Sequence, residues 1–283
     1  MDNFNLFKGR KLLIATKHEK EKVIAPILEA ELGVKCFISS EFDTDELGTF
    51  TGEIERKHDP ITTARNKCLK AMELTNSDLA LASEGSFGNH PSIFFAAANE
   101  EILILYDKKN DFEIIVKELS TDTNFQAAEI NTEHELKRFI TNAKFPSHGL
   151  ILRKSKDDFS EIVKGINHPA VLQKSVDHFI GKYAKVYIET DMRAMYNPTR
   201  MNVIEKAAIK LANKINSLCP QCNFPGFGVT DFIKGLPCDL CKWPTKGTLS
   251  YIYTCQKCSF SKEEKYPNNK TTENPMYCDY CNP

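Results

Sequence analysis

"DLALASEGSFG" (residues 78–88) runs from an apolar stretch, Leu79–Ala82, into an acid, Glu84, set among Ser83, Gly85, Ser86 and Gly88. A short continuous apolar run bounded by small residues reads as a buried strand. The acid that follows reads as its carboxyl end, the place where α/β sheets bind ligands. A buried carboxylate needs a partner, because desolvating it alone is costly. Gly85 and Gly88 permit the dihedrals of a tight binding loop.

The flanking sequence supplies the rest of an α/β domain. "KLLIAT" (11–16) predicts a first strand, residues 21–33 an amphipathic helix stopped by Gly33, and "VKCFISS" (34–40) a second strand. A helix is expected over 59–74, with Asp59 as cap and Pro60 in its first position. "SIFFAAA" (92–98), "EILILYD" (101–107) and "FEIIVKELS" (112–120) predict an antiparallel meander. Helices near 132–143 and 168–181, strands over 150–153 and 184–190, and a long helix over 197–218 follow. The expected fold is α/β, a mixed sheet flanked by helices (residues 1–217), plus a small zinc-ribbon-like domain (218–283). The polar stretch 41–58, with Gly48 and Gly52 as hinges, has the length of a lid.

The 283 residues carry a net charge of −1, so no strong field steers the chain to nucleic acid or an anionic membrane. No apolar run reaches the roughly eighteen residues of a span, and the first residues lack signal-peptide character. The expectation is a soluble, cytoplasmic protein. Eight of the ten cysteines fall in four Cys-x-x-Cys pairs: Cys219–Cys222, Cys238–Cys241, Cys255–Cys258 and Cys278–Cys281. Two such pairs close one tetrahedral thiolate site, so two structural Zn²⁺ are expected. Sequential, nested and interleaved pairings all fit the spacing. The tail from Cys219 onward holds seven Lys against six acids, which is no basic footprint for nucleic acid. Trp243, Tyr251 and Tyr253 leave base stacking open.

In the main domain, Glu84, Asp59, Glu189 and Asp191 are candidate ligands for a catalytic Mg²⁺ or Mn²⁺, a hard cation that takes one or two carboxylates. Glu189 and Asp191 are two apart in "VYIETDMRA" (186–194) and share a face in extended chain. The alternatives are that Asp59 only caps its helix and that Glu189 and Asp191 pair with Arg193 or Arg200. Lys17, His18, Lys20 and Lys22 open a helix after the first strand, a placement suited to phosphate. Arg65, Asn66 and Lys67 lie on the next helix, where Arg65 can clamp phosphate bidentately. Thr16 and Ser86 complete the phosphate candidates. No Walker or Rossmann glycine motif is present, and Ser83 and Ser86 have no histidine partner evident in sequence.

The series "ATKHEK" (15–20), "DPITTARNK" (59–67), "LASEGSFG" (81–88) resembles the inosine/xanthosine triphosphatase group of non-canonical purine nucleotide pyrophosphatases, over roughly residues 11–90. The resemblance places Thr16 on the family's phosphate-loop Thr and His18 on its Asn. The family Lys falls on Glu21, between Lys20 and Lys22. Asp59 matches the helix acid, Ala64, Asn66 and Lys67 the helix motif, and Glu84 the metal-binding acid. It implies a metal-dependent nucleotide phosphohydrolase. The alternative is a non-catalytic phospholigand-binding protein whose zinc module docks a protein or nucleic-acid partner. The whole chain also resembles an uncharacterised bacterial family, on "GTFTGEIERK" (48–57), "ASEGSFG" (82–88), "ETDMRAMYNPTRM" (189–201), "CPQCNFPGFG" (219–228) and the Cys-rich tail.

Overall fold

The structure is a computed structural model that describes residues 6–40 and 58–283. The expected lid over 41–58, with Gly48 and Gly52, lies outside the described residues except for His58. Two compact units are present, Met1–Ala212 and Asn213–Pro283.

The first unit has two sheets where one was expected. The five-stranded sheet is ordered β2-β1-β3-β4-β5, from β1 (Lys11–Ala15), β2 (Lys35–Phe37), β3 (Leu79–Asn89), β4 (Ala97–Asp107) and β5 (Phe112–Ser120). The β2-β1-β3 part is parallel and the β3-β4-β5 part antiparallel, so the sheet is mixed. A separate antiparallel sheet runs β6-β9-β7-β8, from β6 (Ala127–Ile130), β7 (Leu150–Ser155), β8 (Asp158–Ile166) and β9 (Val186–Thr190). Strand β6 is only four residues long, and β8 is half-exposed with a polar-rich sequence, which is why periodicity missed them.

The helices form where their caps predict. α1 (Glu21–Leu32) ends on Gly33 at φ 66°, a left-handed cap that glycine adopts without strain. α2 (Pro60–Thr75) starts on Asp59, whose carboxylate accepts from the Ile61 and Thr62 N–H groups at 3.0 and 3.1 Å. α3 (Glu133–Asn142) has a Thr132/Glu135 capping box, and α4 (Pro169–Tyr183) follows His168. α5 (Pro198–Asn216) begins at Asn197, whose side chain accepts from the Arg200 N–H at 2.9 Å. α2 packs on the first sheet through Ala64, Cys68, Ala71 and Met72 against Leu13, Ala80, Ala82, Ile102 and Ile104. A second core joins α3 and α4 to the four-stranded sheet through Phe139, Leu152, Phe179 and Ile188. Each large aliphatic or aromatic side chain so buried contributes about 1.5–3 kcal/mol.

Two expectations need correction. The strand that opens with Leu79 does not stop at Glu84. It continues to Asn89 with Glu84 opposite Ile102, because β4 offers an unbroken antiparallel ladder along its whole length. The strands expected over 92–98 and 101–107 are a turn over 90–96 followed by the single strand β4. Asn99 and Glu100 read as a turn in sequence but pair with Ser120 and Leu119. The side chains of Ile93, Phe94 and Phe95 are exposed at the turn rather than alternating into a core.

The second unit is an antiparallel meander of β10 (Gly228–Lys234), β11 (Thr248–Thr254) and β12 (Ser261–Lys265). Among the described residues, no helix is long and apolar enough to cross a membrane.

Candidate functional site

Glu84 sits in the interior of β3, buried, and its carboxylate is ion-paired to the ammonium of Lys67 on α2. Residues alternate across a strand, so Glu84 points to the α2 side while Ser83 and Gly85 point to the other. On that other side Lys20, the residue before α1, reaches back and donates to Ser83 Oγ at 2.8 Å and Ser83 O at 3.5 Å. Beside it the buried Arg200 guanidinium holds Glu101 of β4 through Nε at 2.7 Å and Nη2 at 3.3 Å. Its Nη1 donates to Met192 O at 2.5 Å.

Gly85 makes the Arg200–Glu101 pair possible. A Cβ there would stand on the Arg200 Nη2 and 2.5 Å from Glu101 Oε1. Glycine is needed for close approach, not for an unusual dihedral. The guanidinium also lies 5.3 Å from the centre of the Phe87 ring, within cation–π range.

The cations are crowded and the acids are already taken. Burial, then the nearby charge of Arg200, lowers the Lys20 ammonium to about 7, against opposing pulls from Glu101 and Glu84 and with a smaller push from Lys67. His18 falls to about 3 through burial and the charges of Lys20, Arg200, Arg193 and Lys67. Burial and like charges both penalise the protonated form. Glu19, between His18 and Lys20, holds a left-handed φ of 60°, a costly conformation for a residue with a side chain.

The other expected site residues divide plainly. Asp59 is exposed and occupied as the α2 cap. Glu189 lies one residue before the end of β9 in the second sheet, tied to Arg153 at 2.8 Å, and burial raises its carboxyl above the ordinary range. Asp191 is fully buried and paired to Arg193 at 2.6 Å, with Gly165 N–H donating at 3.1 Å. Lys22 is exposed and pairs with Glu19, and Arg65 is held bidentately by Glu113 at 2.6 and 2.7 Å. Thr16 accepts from the His18 N–H at 3.4 Å, while Asn66 and Ser86 are half-buried. Lys20 and Ser83 are thus brought together on one side of β3 and Lys67 and Glu84 on the other, and the charges of Lys20, Arg200, Arg193 and Lys67 all act on His18. Sequence reasoning passed over Ser83, Glu101 and Arg200 as site residues, because they meet only through α5 and β4.

In the second unit each Cys-x-x-Cys is one copy of the same turn. The carbonyls of Cys219, Cys238, Cys255 and Cys278 accept from the N–H groups of Asn223, Lys242, Ser259 and Asn282 at 2.8–3.0 Å. Asn223, Lys242 and Ser259 take left-handed φ values of 57°, 62° and 58° to close it. Cys219, Cys222, Cys255 and Cys258 converge, as do Cys238, Cys241, Cys278 and Cys281. The pairing is therefore interleaved. Sulfur-to-sulfur distances are 3.7 Å (Cys219–Cys258), 3.6 Å (Cys222–Cys255), 3.9 Å (Cys238–Cys281) and 3.6 Å (Cys241–Cys278). A tetrahedron with Zn–S of about 2.3 Å has edges of about 3.8 Å, so each group fits a metal ion such as zinc. The meander dictates this pairing. Gly228, at the start of β10, lies opposite Thr254, at the end of β11, which gathers the first and third turns at one end of the sheet. Lys234 opposite Thr248 and Ser250 opposite Lys265 gather the second and fourth turns at the other.

The chain belongs to the DUF6671 family. The family, a domain of unknown function, matches residues 67–283. No curated protein matches the chain. The DUF6671 match takes in Lys67, Ser83, Glu84, Glu101, Arg193, Arg200 and all eight cysteines of the tail, and begins after the β1–α1 loop with His18 and Lys20. Among the described residues, the two Cys₄ groups are the clusters of His, Cys, Asp or Glu that can hold a metal ion. Glu84, Asp59, Glu189 and Asp191 form no such group with one another.

Proposed function

We propose that the first unit binds a phosphorylated small molecule of the nucleotide class at the cluster of His18, Lys20, Arg193 and Arg200, with the charge of Lys67 acting on it from the other side of β3. One observation carries this reading. Lys20 is buried, and its neighbouring carboxylates Glu84 and Glu101 are each engaged by another cation, Lys67 and Arg200. A cluster that holds cations in excess of the acids facing them is relieved by an incoming anion. The site stands at the carboxyl end of β1 and the N-terminus of α1, where helix and sheet geometry both favour phosphate. The resemblance of "ATKHEK", "DPITTARNK" and "LASEGSFG" to the inosine/xanthosine triphosphatase group supports the nucleotide class.

Metal-dependent hydrolysis through Glu84 is the weaker form of the proposal, since Lys67 stands where a divalent cation would have to enter. In the second unit, exposed Leu240, Trp243, Met276, Tyr277 and Tyr280 surround the second cysteine group and support a docking role for that unit. The test is calorimetry with inorganic phosphate, pyrophosphate and a panel of nucleoside triphosphates, on wild type and Lys20→Met. Binding to wild type that is lost in Lys20→Met is expected. Above pH 7, complexation should also take up a proton, seen as a heat that changes with the buffer's ionisation enthalpy. Absence of binding across the panel would overturn the reading.

A further inference from the structure

We propose that Ser83 is a nucleophile and Lys20 its general base, acting in phosphoryl transfer from the ligand held by the cation cluster; the proposal rests on the anion-binding reading above. The pairing is geometric. Ser83 is fixed in β3, opposite Leu103 of β4, and its hydroxyl stands 2.8 Å from Lys20 Nζ. Both residues are buried. The two nearby acids are unavailable to Lys20, because Glu84 is paired with Lys67 and Glu101 with Arg200. A buried amine without a carboxylate of its own loses its proton readily. Burial together with Arg200 and Lys67 brings Lys20 to about 7, so near neutral pH much of it is free amine. That is the match of base strength to working pH that general-base catalysis needs. A serine hydroxyl is a weak nucleophile until such a base stands beside it, and Ser–Lys is one of the recurring pairs.

The surroundings suit a phosphoryl rather than a neutral electrophile. Arg200 shares the Ser83 side of β3 through its contact over Gly85. Lys67 and Arg193 bring further positive charge to bear on the same loop. Fixed cations stabilise the charge spread over the equatorial oxygens of a transferring phosphoryl group. In the first step the Lys20 amine takes the Ser83 hydroxyl proton as Oγ attacks phosphorus. The Oγ–P bond forms, the bond from phosphorus to the leaving oxygen or nitrogen breaks, and the Lys20 ammonium returns the proton to that leaving atom. Water then attacks the phosphoserine with Lys20 again as base, which releases phosphate and restores the hydroxyl.

The experiment uses the zinc-loaded full chain with two small phosphoryl donors, acetyl phosphate and phosphoramidate. Donor hydrolysis is followed, and samples quenched in parallel with acid and with denaturant at mildly alkaline pH are mapped by peptide mass spectrometry, which locates an acid-stable phosphoserine or an acid-labile phosphohistidine without any variant. In parallel, inorganic phosphate binding to the same preparation is measured by calorimetry. The expected result is phosphate on Ser83, or donor hydrolysis with a burst, with kcat/KM rising through pH 7 as Lys20 of the free protein deprotonates and kcat rising at higher pH, because the bound anion raises Lys20. Both signals should vanish in Ser83→Ala. They should vanish too in Lys20→Arg, whose guanidinium keeps its charge but cannot act as a base. Phosphate binding with neither adduct nor donor hydrolysis overturns the Ser83–Lys20 step and leaves the anion site standing. Failure of binding and of labelling together overturns both. Phosphate on His18 instead overturns the assignment of the nucleophile.

Discussion

Replacing Lys20 by methionine keeps most of the side-chain volume and removes one buried amine, so its effect on stability can be worked from the site. The ordinary lysine value is 10.5 and Lys20 lies at about 7. Between these values the unfolded chain carries a proton that the folded chain lacks. Stability of wild type therefore rises with pH through that window, and the burden of the buried amine is greatest below pH 7. Each pH unit is worth about 1.4 kcal/mol, so the window amounts to roughly 5 kcal/mol. Loss of the hydrogen bond to Ser83 returns about 1 kcal/mol against the variant. Lys20→Met is thus expected to be more stable than wild type by roughly 3–4 kcal/mol near pH 7, with the gap nearly closed by pH 10. Cys36 and Cys68, whose thiols burial pushes up, titrate alike in both proteins and cancel. The assay is urea unfolding followed by circular dichroism at half-unit pH steps. Tryptophan fluorescence is the wrong probe, because the single tryptophan, Trp243, lies in the second unit. Parallel stability curves for the two proteins from pH 7 to 10 would refute the reasoning and, with it, the claim that the cluster holds uncompensated positive charge.

Four further outcomes follow from the geometry. Gly85→Ala should cost roughly 1–3 kcal/mol or more by pressing on the Arg200–Glu101 pair, whereas Gly88→Ala on the same strand meets nothing within 4 Å and should be near neutral in thermal unfolding. Glu101→Gln should destabilise the first unit by roughly 3–5 kcal/mol, because it strands a buried guanidinium, and a change below 1 kcal/mol would count against that pair. Interleaving of the cysteines is read by metal content: Cys219→Ser with Cys255→Ser should lose about one zinc per chain, and Cys219→Ser with Cys238→Ser about two. A chelator should unfold the second unit, seen as a change in Trp243 emission.

Local signals carried far in this chain. Asp59–Pro60, Gly33, Thr132–Glu135 and Asn197–Pro198 mark helix ends through hydrogen bonds made within a few residues, so they could be read directly. The four Cys-x-x-Cys turns are equally local, and they announced two metal sites. The pairing of those turns was not local. It follows from an antiparallel meander whose outer strands, "GVTDFIK" and "SKEEK", are mostly exposed and whose central strand, "TLSYIYT", is half-buried along nearly its whole length, so that they give little periodic signal. Recognising them as a meander would have selected the interleaved pairing, since alternate turns of a meander fall at the same end.

Glu84 shows the same division more sharply. The sequence determined that an acid follows a buried run among small residues, and that such an acid must have a partner. It did not determine which partner. Lys67 comes from α2, Lys20 approaches Ser83 from the β1–α1 loop on the opposite side of β3, and Arg200 reaches Glu101 from α5 over Gly85. Residues far apart in sequence meet there because sheet pairing and helix packing fix their positions. Sequence by itself determined the kinds of charge available and the local turns that present them. Tertiary structure decided which charges neutralise one another, because ion pairing in a buried site depends on distances that only long-range packing sets.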